Sequence, residues 1–274
     1  MARRIVATRA VVLHTRTLGE TSKLVTLYSE GCGKLKVTAK GARQPKSKFG
    51  GRLELLSEIQ AVCYVRDDRE LQILSDCEIL QAHWRLAVDL ERFCFGSAAI
   101  ELIDRLTIEG EPNVRLYICL TGFLGALGEV AADQLEPLFW YYQLRVIAAL
   151  GYRPELVWCV ICRKKLEGPW LWFNAAQGGG LCPDCGRSNG LRIAGQNLRL
   201  LAYLQGLKTY RKEAIPPNPE QNAECRMVMC SFVEYHGGFG RRLRALDFLK
   251  PLPGLSPSRL GSAPIGIDKP AVQG

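Results

Sequence analysis

The chain has 274 residues, 47% of them hydrophobic, so it is long enough to bury a substantial core and to form more than one domain. Its apolar runs are all shorter than the roughly 18 to 20 residues that cross a bilayer, which argues against a protein built on transmembrane helices. Arg9, His14 and Arg16 interrupt the basic N-terminus, which therefore does not resemble an export signal. We expect a cytoplasmic protein without membrane contact.

Charge is distributed unevenly along the chain. The formal net charge is +9, and residues 1–52 alone carry twelve lysines and arginines against two glutamates. Residues 81–150 are acidic instead, with nine carboxylates against five arginines. This asymmetry favours a polyanionic partner for the N-terminal part.

Short β-type segments separated by turn residues dominate the first 80 residues. The segment Lys34–Lys40 alternates apolar and polar residues, which predicts a strand with Leu35, Val37 and Ala39 on its core face and lysines on the other. The other predicted strands cover residues 10–13, 23–28, 59–65 and 71–74. Five short strands in about 75 residues predict a small barrel of the OB-fold type. Residues 1–80 are therefore assigned to an OB-fold nucleic-acid-binding domain.

Beyond residue 80 the apolar residues recur every three or four positions, which predicts amphipathic helices. The pattern covers residues 81–150 and resumes over 191–250, so we predict one helical domain interrupted by a module at 151–190. Residues 251–274, rich in Pro, Gly and Ser, are predicted to be a disordered tail. The predicted fold class is α+β multidomain: an N-terminal OB-fold β-barrel, a helical domain and an inserted four-cysteine zinc module.

Four of the eleven cysteines lie in the spacing C-x2-C-x19-C-x2-C, formed by Cys159, Cys162, Cys182 and Cys185. Each CxxC turn can aim two thiolates at one ion, and four sulfurs satisfy tetrahedral Zn²⁺ without leaving a position for water. We predict one structural Zn²⁺, in preference to a redox pair or an empty site. A structural role is favoured over direct DNA contact, with the module's aromatic residues as its core: Trp158, Trp170, Trp172 and Phe173.

Catalytic signatures are weak throughout the sequence. The three histidines, His14, His83 and His236, stand in neither an HExxH motif nor a nucleobase-deaminase arrangement. Gly33-Lys34 lacks the upstream glycine and the following Ser or Thr of a nucleotide-binding P-loop. We therefore predict no catalytic residues and no enzymatic activity. Catalysis by carboxylates that are far apart in the sequence has no recognisable motif and stays open as an alternative.

The stretch Ala39–Arg52 contains five cations and no carboxylate, and it continues the lysines of the preceding predicted strand. Its glycines allow close backbone approach, and Phe49 is a candidate stacking surface. Phosphate neutralisation by such residues gives salt-dependent binding that requires no base sequence. The predicted nucleic-acid-binding residues are Lys34, Lys36, Lys40, Arg43, Lys46, Lys48 and Arg52.

The chain also resembles a known family, the bacterial DNA-repair and recombination mediators called RecO. The order and spacing of several elements carry the resemblance, which covers residues 1 to about 250. They are Val11–Ser22 (VVLHTRTLGETS), Ala39–Arg43 (AKGAR), Gly151–Pro154 (GYRP) before Cys159-x-x-Cys162, the later Cys182-x-x-Cys185, and Arg241–Leu246 (RRLRAL). Some relatives have incomplete cysteines, whereas all four are present here.

The resemblance implies an OB domain, a helical domain and an inserted zinc module, and a mediator without enzymatic turnover. It implies binding of single- and double-stranded DNA, strand annealing, and action with RecR to place RecA on strands coated by single-stranded-DNA-binding protein. It further implies association with the nucleoid during repair and a helical-domain site for the acidic C-terminal peptide of that coating protein. Basic candidates for this site are Arg192, Arg199, Lys208, Arg241, Arg242 and Arg244, of which the family motif covers the last three.

Two other readings of the same residues stay open. One is a zinc-containing nuclease or other DNA-processing enzyme built on the same basic face. The other is an OB-fold protein associated with RNA or the ribosome.

Overall fold

The computed structural model of the protein describes residues 4–66, 68–187, 190–210, 219–238 and 243–249. The tail predicted over 251–274 lies outside these residues, as do Arg241 and Arg242. The described chain forms a β-barrel followed by helices and a second, smaller sheet. The predicted α+β class with an N-terminal barrel is therefore confirmed.

The N-terminal part is a closed five-stranded barrel in the order β1-β2-β3-β5-β4. Its strands are β1 Arg4–Leu18, β2 Ser22–Ser29, β3 Gly33–Ala39, β4 Glu58–Val65 and β5 Leu71–Gln81. The parallel pairing of β3 with β5 closes the barrel, and the other neighbours run antiparallel. Strand β1 extends well beyond the predicted run 10–13, because its first half pairs with β4 and its second half with β2.

The barrel interior follows the alternation of apolar residues in its strands. On β3, Leu35, Val37 and Ala39 point inward and are buried, as the pattern predicts. Phe49, from the loop after β3, is only 2% exposed and packs with Leu53 inside one end of the barrel. The prediction of Phe49 as a stacking surface is therefore wrong: a large aromatic side chain gains more by closing the apolar interior than by lying in water.

The helices pack into one core behind the barrel, and capping side chains mark where two of them begin. Asp89 accepts a hydrogen bond from the Arg92 N–H, and Asn113 accepts from Arg115 and Leu116. The later helices return to pack on the fourth helix, as predicted, and Arg226 reinforces this contact. The helices are α1 Trp84–Ala87, α2 Leu90–Leu106, α3 Val114–Leu127, α4 Leu135–Ala149, α5 Pro183–Gly186, α6 Gly195–Gly206 and α7 Pro219–Gly237, with 3-10 turns at Ala132–Gln134 and Arg244–Leu249.

Residues between α4 and α6 form a small module, called the cysteine module here. Its sheet has the order β7-β6-β8, with β6 Trp170–Asn174, β7 Gly179–Leu181 and β8 Leu191–Ala194. Leu171 and Phe173 on β6 are buried against the helical core, which also contains Phe232 of α7. The module is thus seated on the helices by one apolar face, while its other face is turned outward.

The barrel and the helices share an interface rather than a simple tether. The barrel residues Leu13 and Tyr28 are fully buried in the same apolar cluster as the helical core. Tyr117 of α3 donates a 2.6 Å hydrogen bond to the Glu58 carboxylate of β4. Gly33 lies so close to this junction that a Cβ there would stand 2.2 Å from the Glu111 carbonyl oxygen. The outer wall of the barrel on this side is therefore covered by the helical part.

Candidate nucleic-acid interface and metal centre

The four cysteines of the two CxxC pairs come together at one point of the cysteine module. The Sγ atoms of Cys159, Cys162, Cys182 and Cys185 all lie within 4.8 Å of one another, and those of Cys162 and Cys182 are 3.6 Å apart. A tetrahedron with Zn–S bonds of about 2.3 Å has edges of about 3.8 Å. The spacing of the sulfurs therefore fits a single tetrahedral metal ion.

Tight backbone turns aim each cysteine pair at this point. The N–H groups of Arg163 and Gly186, which follow each pair, donate to the carbonyl oxygens of Cys159 and Cys182 at 2.9 Å. Gly186 also packs against Trp172, since a Cβ there would stand 2.4 Å from the Cβ of that tryptophan. The turns and the module sheet are thus packed into one small unit.

The electrostatics of the cluster favour a bound cation. Burial acts to raise the pKa of Cys159, but N–H groups of Cys162 and Cys182 stabilise its thiolate and lower its pKa to about 6. Hydrogen bonding to the Cys182 sulfur, together with burial, raises the pKa of Cys185 to about 12. Because thiolates this close together repel one another, the four cysteines do not all lose their protons in the absence of a cation. A divalent cation would remove this repulsion.

The aromatic residues of the module divide between its core and its surface. Phe173 is buried and Trp172 is half-buried beneath the second cysteine turn, as the core interpretation predicts. Trp158 and Trp170 remain 46% and 42% exposed. The prediction that all four form the module core is therefore wrong for these two: the second cysteine turn covers Trp172 but leaves Trp170 exposed, and Trp158 lies outside the three-stranded sheet.

The predicted cationic face is divided by the tertiary structure, beginning with Lys34. The Nζ of Lys34 donates to the Asp104 carbonyl at 2.6 Å and lies 3.3 Å from the carboxylate of the same residue. Only 13% of the Lys34 side chain is exposed. His14 approaches Asp104 at 3.4 Å from the other side. Lys34 therefore joins the barrel to α2.

Lys36 is exposed but paired. Its Nζ lies 2.5 Å from the Glu109 carboxylate, and this hydrogen bond raises the pKa of Lys36 above its usual value. Glu109 is held beside β3 by an isolated parallel bridge to Lys34 and by the hydrogen bond from the Gly110 N–H to the Lys34 carbonyl. The sequence reasoning did not identify Asp104 and Glu109 as partners, although the acidic excess of residues 81–150 was the available signal.

The remaining five predicted cations lie on the loop between β3 and β4, called the basic loop here (residues 40–52). Lys40, Lys46 and Lys48 are exposed. Arg43 donates to the carbonyls of Gly19 and Glu20 in the β1–β2 turn, and Arg52 donates to the Cys77 carbonyl of β5. Within the described part of the chain, no carboxylate forms an ion pair with any of these five cations.

Successive turns keep the basic loop compact. The N–H groups of Gln44, Ser47 and Gly50 each donate to the carbonyl three residues earlier, at 3.0 to 3.2 Å. Arg43 anchors the loop to the β1–β2 turn and Arg52 anchors its end to β5, and both carry charge of their own. The structure therefore presents the three lysines on a firm scaffold at one end of the barrel.

The six candidates for an acidic-peptide site do not form one group. Arg192 stacks on Trp170, Arg199 donates to the Gly168 carbonyl, and the backbone N–H of Arg244 is capped by Glu101 of α2. Lys208 alone among the described candidates lines a pocket of 630 Å³ between α3, α4 and the segment after α6. Arg145, which the sequence reasoning missed because it stands alone on an apolar helix, lines the same pocket.

The fold and the site define a class of protein: an OB-type barrel with a cationic loop, joined to a helical part that carries a four-cysteine metal site. In the described part of the chain, none of the helices combines the length and the apolar character that a membrane span needs. Comparison with known proteins agrees with this class. Residues 1–83 match the family model "Recombination protein O N terminal", and residues 87–245 match "Recombination protein O C terminal".

Curated relatives extend the match over nearly the whole chain. The chain is 32% identical over 259 residues to the DNA repair protein RecO of Pelotomaculum thermopropionicum, covering 94% of this chain and 95% of the relative. It is 34% identical over 248 residues to the DNA repair protein RecO of Streptomyces avermitilis, covering 88% and 96%. The chain belongs to the RecO family, and its role lies in DNA repair.

Proposed function

We propose that this protein is a non-enzymatic recombination mediator that binds single- and double-stranded DNA and anneals complementary strands. In this proposal it acts with RecR to load RecA onto strands coated by single-stranded-DNA-binding protein, and it associates with the cytoplasmic nucleoid during repair. Annealing requires only a surface that screens phosphate repulsion while leaving the base edges free to pair. Membership of the RecO family supports this role.

The single observation that supports the DNA-binding role most directly is the basic loop. Its three exposed lysines, Lys40, Lys46 and Lys48, have no carboxylate partner among the described residues. The scaffold beneath them is held by Arg43 and Arg52 through backbone carbonyls rather than through acidic side chains. We propose the basic loop as the principal phosphate-binding segment, with Lys34 and Lys36 serving the junction between barrel and helices.

The salt dependence of DNA binding tests this proposal. Replacing Lys40, Lys46 and Lys48 together by Ala is expected to reduce the magnitude of the slope of log K against log salt by about two to three. Arg43 and Arg52 are kept because they anchor the loop. An unchanged slope in this folded variant would place the DNA elsewhere.

We propose that the metal of the cysteine module is one structural Zn²⁺. Four thiolates within bonding distance of one point complete a tetrahedral shell and leave no open position for a water nucleophile. When bound, the ion supplies cross-linking of the two cysteine turns. Metal analysis of the purified protein, with thermal unfolding before and after chelation, tests both the identity of the ion and its structural role.

We further propose that the pocket of 630 Å³ takes the acidic C-terminal peptide of single-stranded-DNA-binding protein. Its walls include Phe123, Leu138 and Tyr142, which suit an apolar side chain, while Arg145 and Lys208 can meet carboxylates. Arg145→Ala is expected to weaken binding of a synthetic peptide by about tenfold. Arg115→Ala is the control, since Arg115 is exposed at the start of α3 and does not line the pocket.

The two other readings are separated from the mediator by direct assays. Incubation of labelled complementary strands with divalent metal is expected to give annealing without shortening of the strands. Shortening that disappears on mutation of a carboxylate would favour the nuclease. A strong preference for RNA over DNA of equal length would favour the RNA-associated protein.

A further inference from the structure

The outward face of the cysteine module carries a stacked pair of side chains, Trp170 and Arg192. The guanidinium carbon of Arg192 lies 3.9 Å from the centre of the Trp170 indole. Arg192 pairs with Trp172 across β6 and β8, so it shares the outward face with Trp170 and Trp172, opposite the buried Leu171. Trp170 remains 42% exposed beside this arginine. The pair presents a flat surface that is both aromatic and cationic.

The segment that contains this pair has a positive net charge, although Glu224 of α7 reaches β8 by accepting from the Ala194 N–H at 2.8 Å. Residues 151–210 contain eight lysines and arginines against three carboxylates. Two of those carboxylates, Glu167 and Asp184, are paired with Lys165 and Lys164. Even the net double negative charge of four thiolates around one divalent ion leaves the segment positive. Within the described residues, Arg192 forms no ion pair with a carboxylate.

The cysteine module has a second exposed tryptophan, Trp158, outside its three-stranded sheet. Trp158 pairs with Lys165 in an isolated antiparallel bridge. The chain then passes Gly168, whose carbonyl accepts from Arg199 at 3.5 Å, before it reaches Trp170. Arg199 is therefore joined to the chain two residues before Trp170, next to the stacked pair. Glu167, the acidic neighbour of Arg199, is paired with Lys165 at 2.8 Å. Exposed aromatic rings beside cations are typical of surfaces that bind unpaired nucleic acid.

We propose that this face of the cysteine module, comprising Trp170, Arg192 and Arg199, binds an unpaired nucleic-acid strand. A base extends the Trp170–Arg192 stack on the guanidinium plane, and Arg199 contacts a neighbouring phosphate. A duplex cannot use the stack, because its bases are already stacked on one another. The inference rests on the DNA-binding role proposed above and adds a second, strand-selective surface to the basic loop.

The chain offers a matched control for the stacked pair. Trp84 is 66% exposed, and the Arg85 guanidinium lies 5.6 Å from the centre of its ring. Arg85 is paired with Glu129 at 3.0 Å, in the acidic part of the chain. Trp84 and Arg85 thus repeat the chemistry of the pair without the positive surroundings, so Trp84→Ala reports what loss of an exposed tryptophan does by itself.

The test measures affinities of the full-length protein for labelled oligothymidylate and for a duplex of equal length. Trp170→Ala is expected to weaken binding of the single strand by about tenfold, because the ring that holds the Arg192 guanidinium plane beneath the base is lost, and to leave duplex binding and the salt slope unchanged. Trp170→Phe is expected to restore part of the loss. Trp84→Ala is expected to change neither affinity.

Several results would overturn the inference. One is a Trp170→Ala variant that binds the single strand as tightly as the wild type does. Another is a variant that loses affinity for the single strand and for the duplex equally. If Trp170→Ala loses its metal or unfolds, Arg192→Gln decides instead: it keeps the ring, and unchanged single-strand affinity and salt slope in this variant would exclude the stack. Loss of acidic-peptide binding with retained strand binding would assign the face to a protein partner and equally overturn the inference.

The failure of this inference is distinguishable from the failure of the proposed function. The basic-loop variant with Lys40, Lys46 and Lys48 replaced by Ala is measured beside Trp170→Ala. If the loop variant keeps full duplex affinity and salt slope, the proposed principal interface is wrong whatever Trp170 does. If the loop variant loses duplex binding while Trp170→Ala behaves as the wild type, the second surface alone is wrong.

Discussion

The carboxylate of Glu109 lies 2.5 Å from the Nζ of Lys36, although the two residues belong to different parts of the molecule. Glu109 comes from the segment after α2, whereas Lys36 stands on the barrel strand β3. A carboxylate in this position occupies a cation that would otherwise be available to a phosphate. If the basic loop binds DNA as proposed, we expect the pair to limit how far the strand extends along β3.

Glu109→Gln is expected to tighten DNA binding by about two- to threefold and to increase the magnitude of the salt slope by about one, because Lys36 becomes free to neutralise a phosphate. Equilibrium binding over a range of salt concentrations checks this. Glu129→Gln is the control, since it releases Arg85 from a similar exposed pair in the acidic part of the chain. Equal tightening in both variants would indicate a change in net charge rather than a released site.

Lys34→Met is expected to lower the free energy of unfolding by about 1 to 3 kcal/mol, because it leaves the Asp104 carbonyl without its lysine donor and the Asp104 carboxylate with His14 alone, at a partly buried junction. Its effect on the salt slope of DNA binding is expected to be negligible. Chemical unfolding measures the change in stability, and DNA binding over a range of salt concentrations measures the salt slope. A reduced slope with wild-type stability would return Lys34 to the phosphate-binding surface.

The acid limb of the stability curve is expected to depend on Asp104. A hydrogen bond with His14 and the nearby Lys34 hold the pKa of Asp104 below its usual value. The folded state therefore binds its proton at lower pH than the unfolded state, so the stabilisation is present above about pH 4 and is lost as the pH falls further. Unfolding measured from neutral to acid pH should show a shallower decline in Asp104→Asn than in the wild type.

Cys185→Ser is expected to abolish binding of the proposed metal and to lower the thermal midpoint, because it removes one of the four sulfurs that would hold the ion between the two cysteine turns. Duplex binding is expected to persist, since the basic loop lies on the barrel. Metal content, thermal unfolding and duplex affinity are measured on the same preparation. A variant that keeps metal and midpoint but loses duplex binding would reverse the roles assigned to the module and the barrel.

The local patterns of the sequence predicted the five barrel strands, although not the full length of β1 and β5, and the four residues of the candidate metal site. Strict alternation placed Leu35, Val37 and Ala39 inside the barrel, and the two CxxC spacings identified all four sulfurs of the metal cluster. These features depend on neighbours along the chain, because side-chain direction in a strand and in a tight turn follows from the backbone of a few residues.

The tertiary structure decided which charges and rings remain available for binding. In the sequence, Lys34 and Lys36 belong to one row of cations. In the structure, Asp104 and Glu109, which lie about seventy residues further along the chain, form ion pairs with them. Phe49 closes the barrel, while Trp170 stays at the surface of the cysteine module. Whether a ring is buried or a cation is paired depends on which surfaces meet when distant segments of the chain pack together. These tertiary contacts produce no periodic pattern in the sequence.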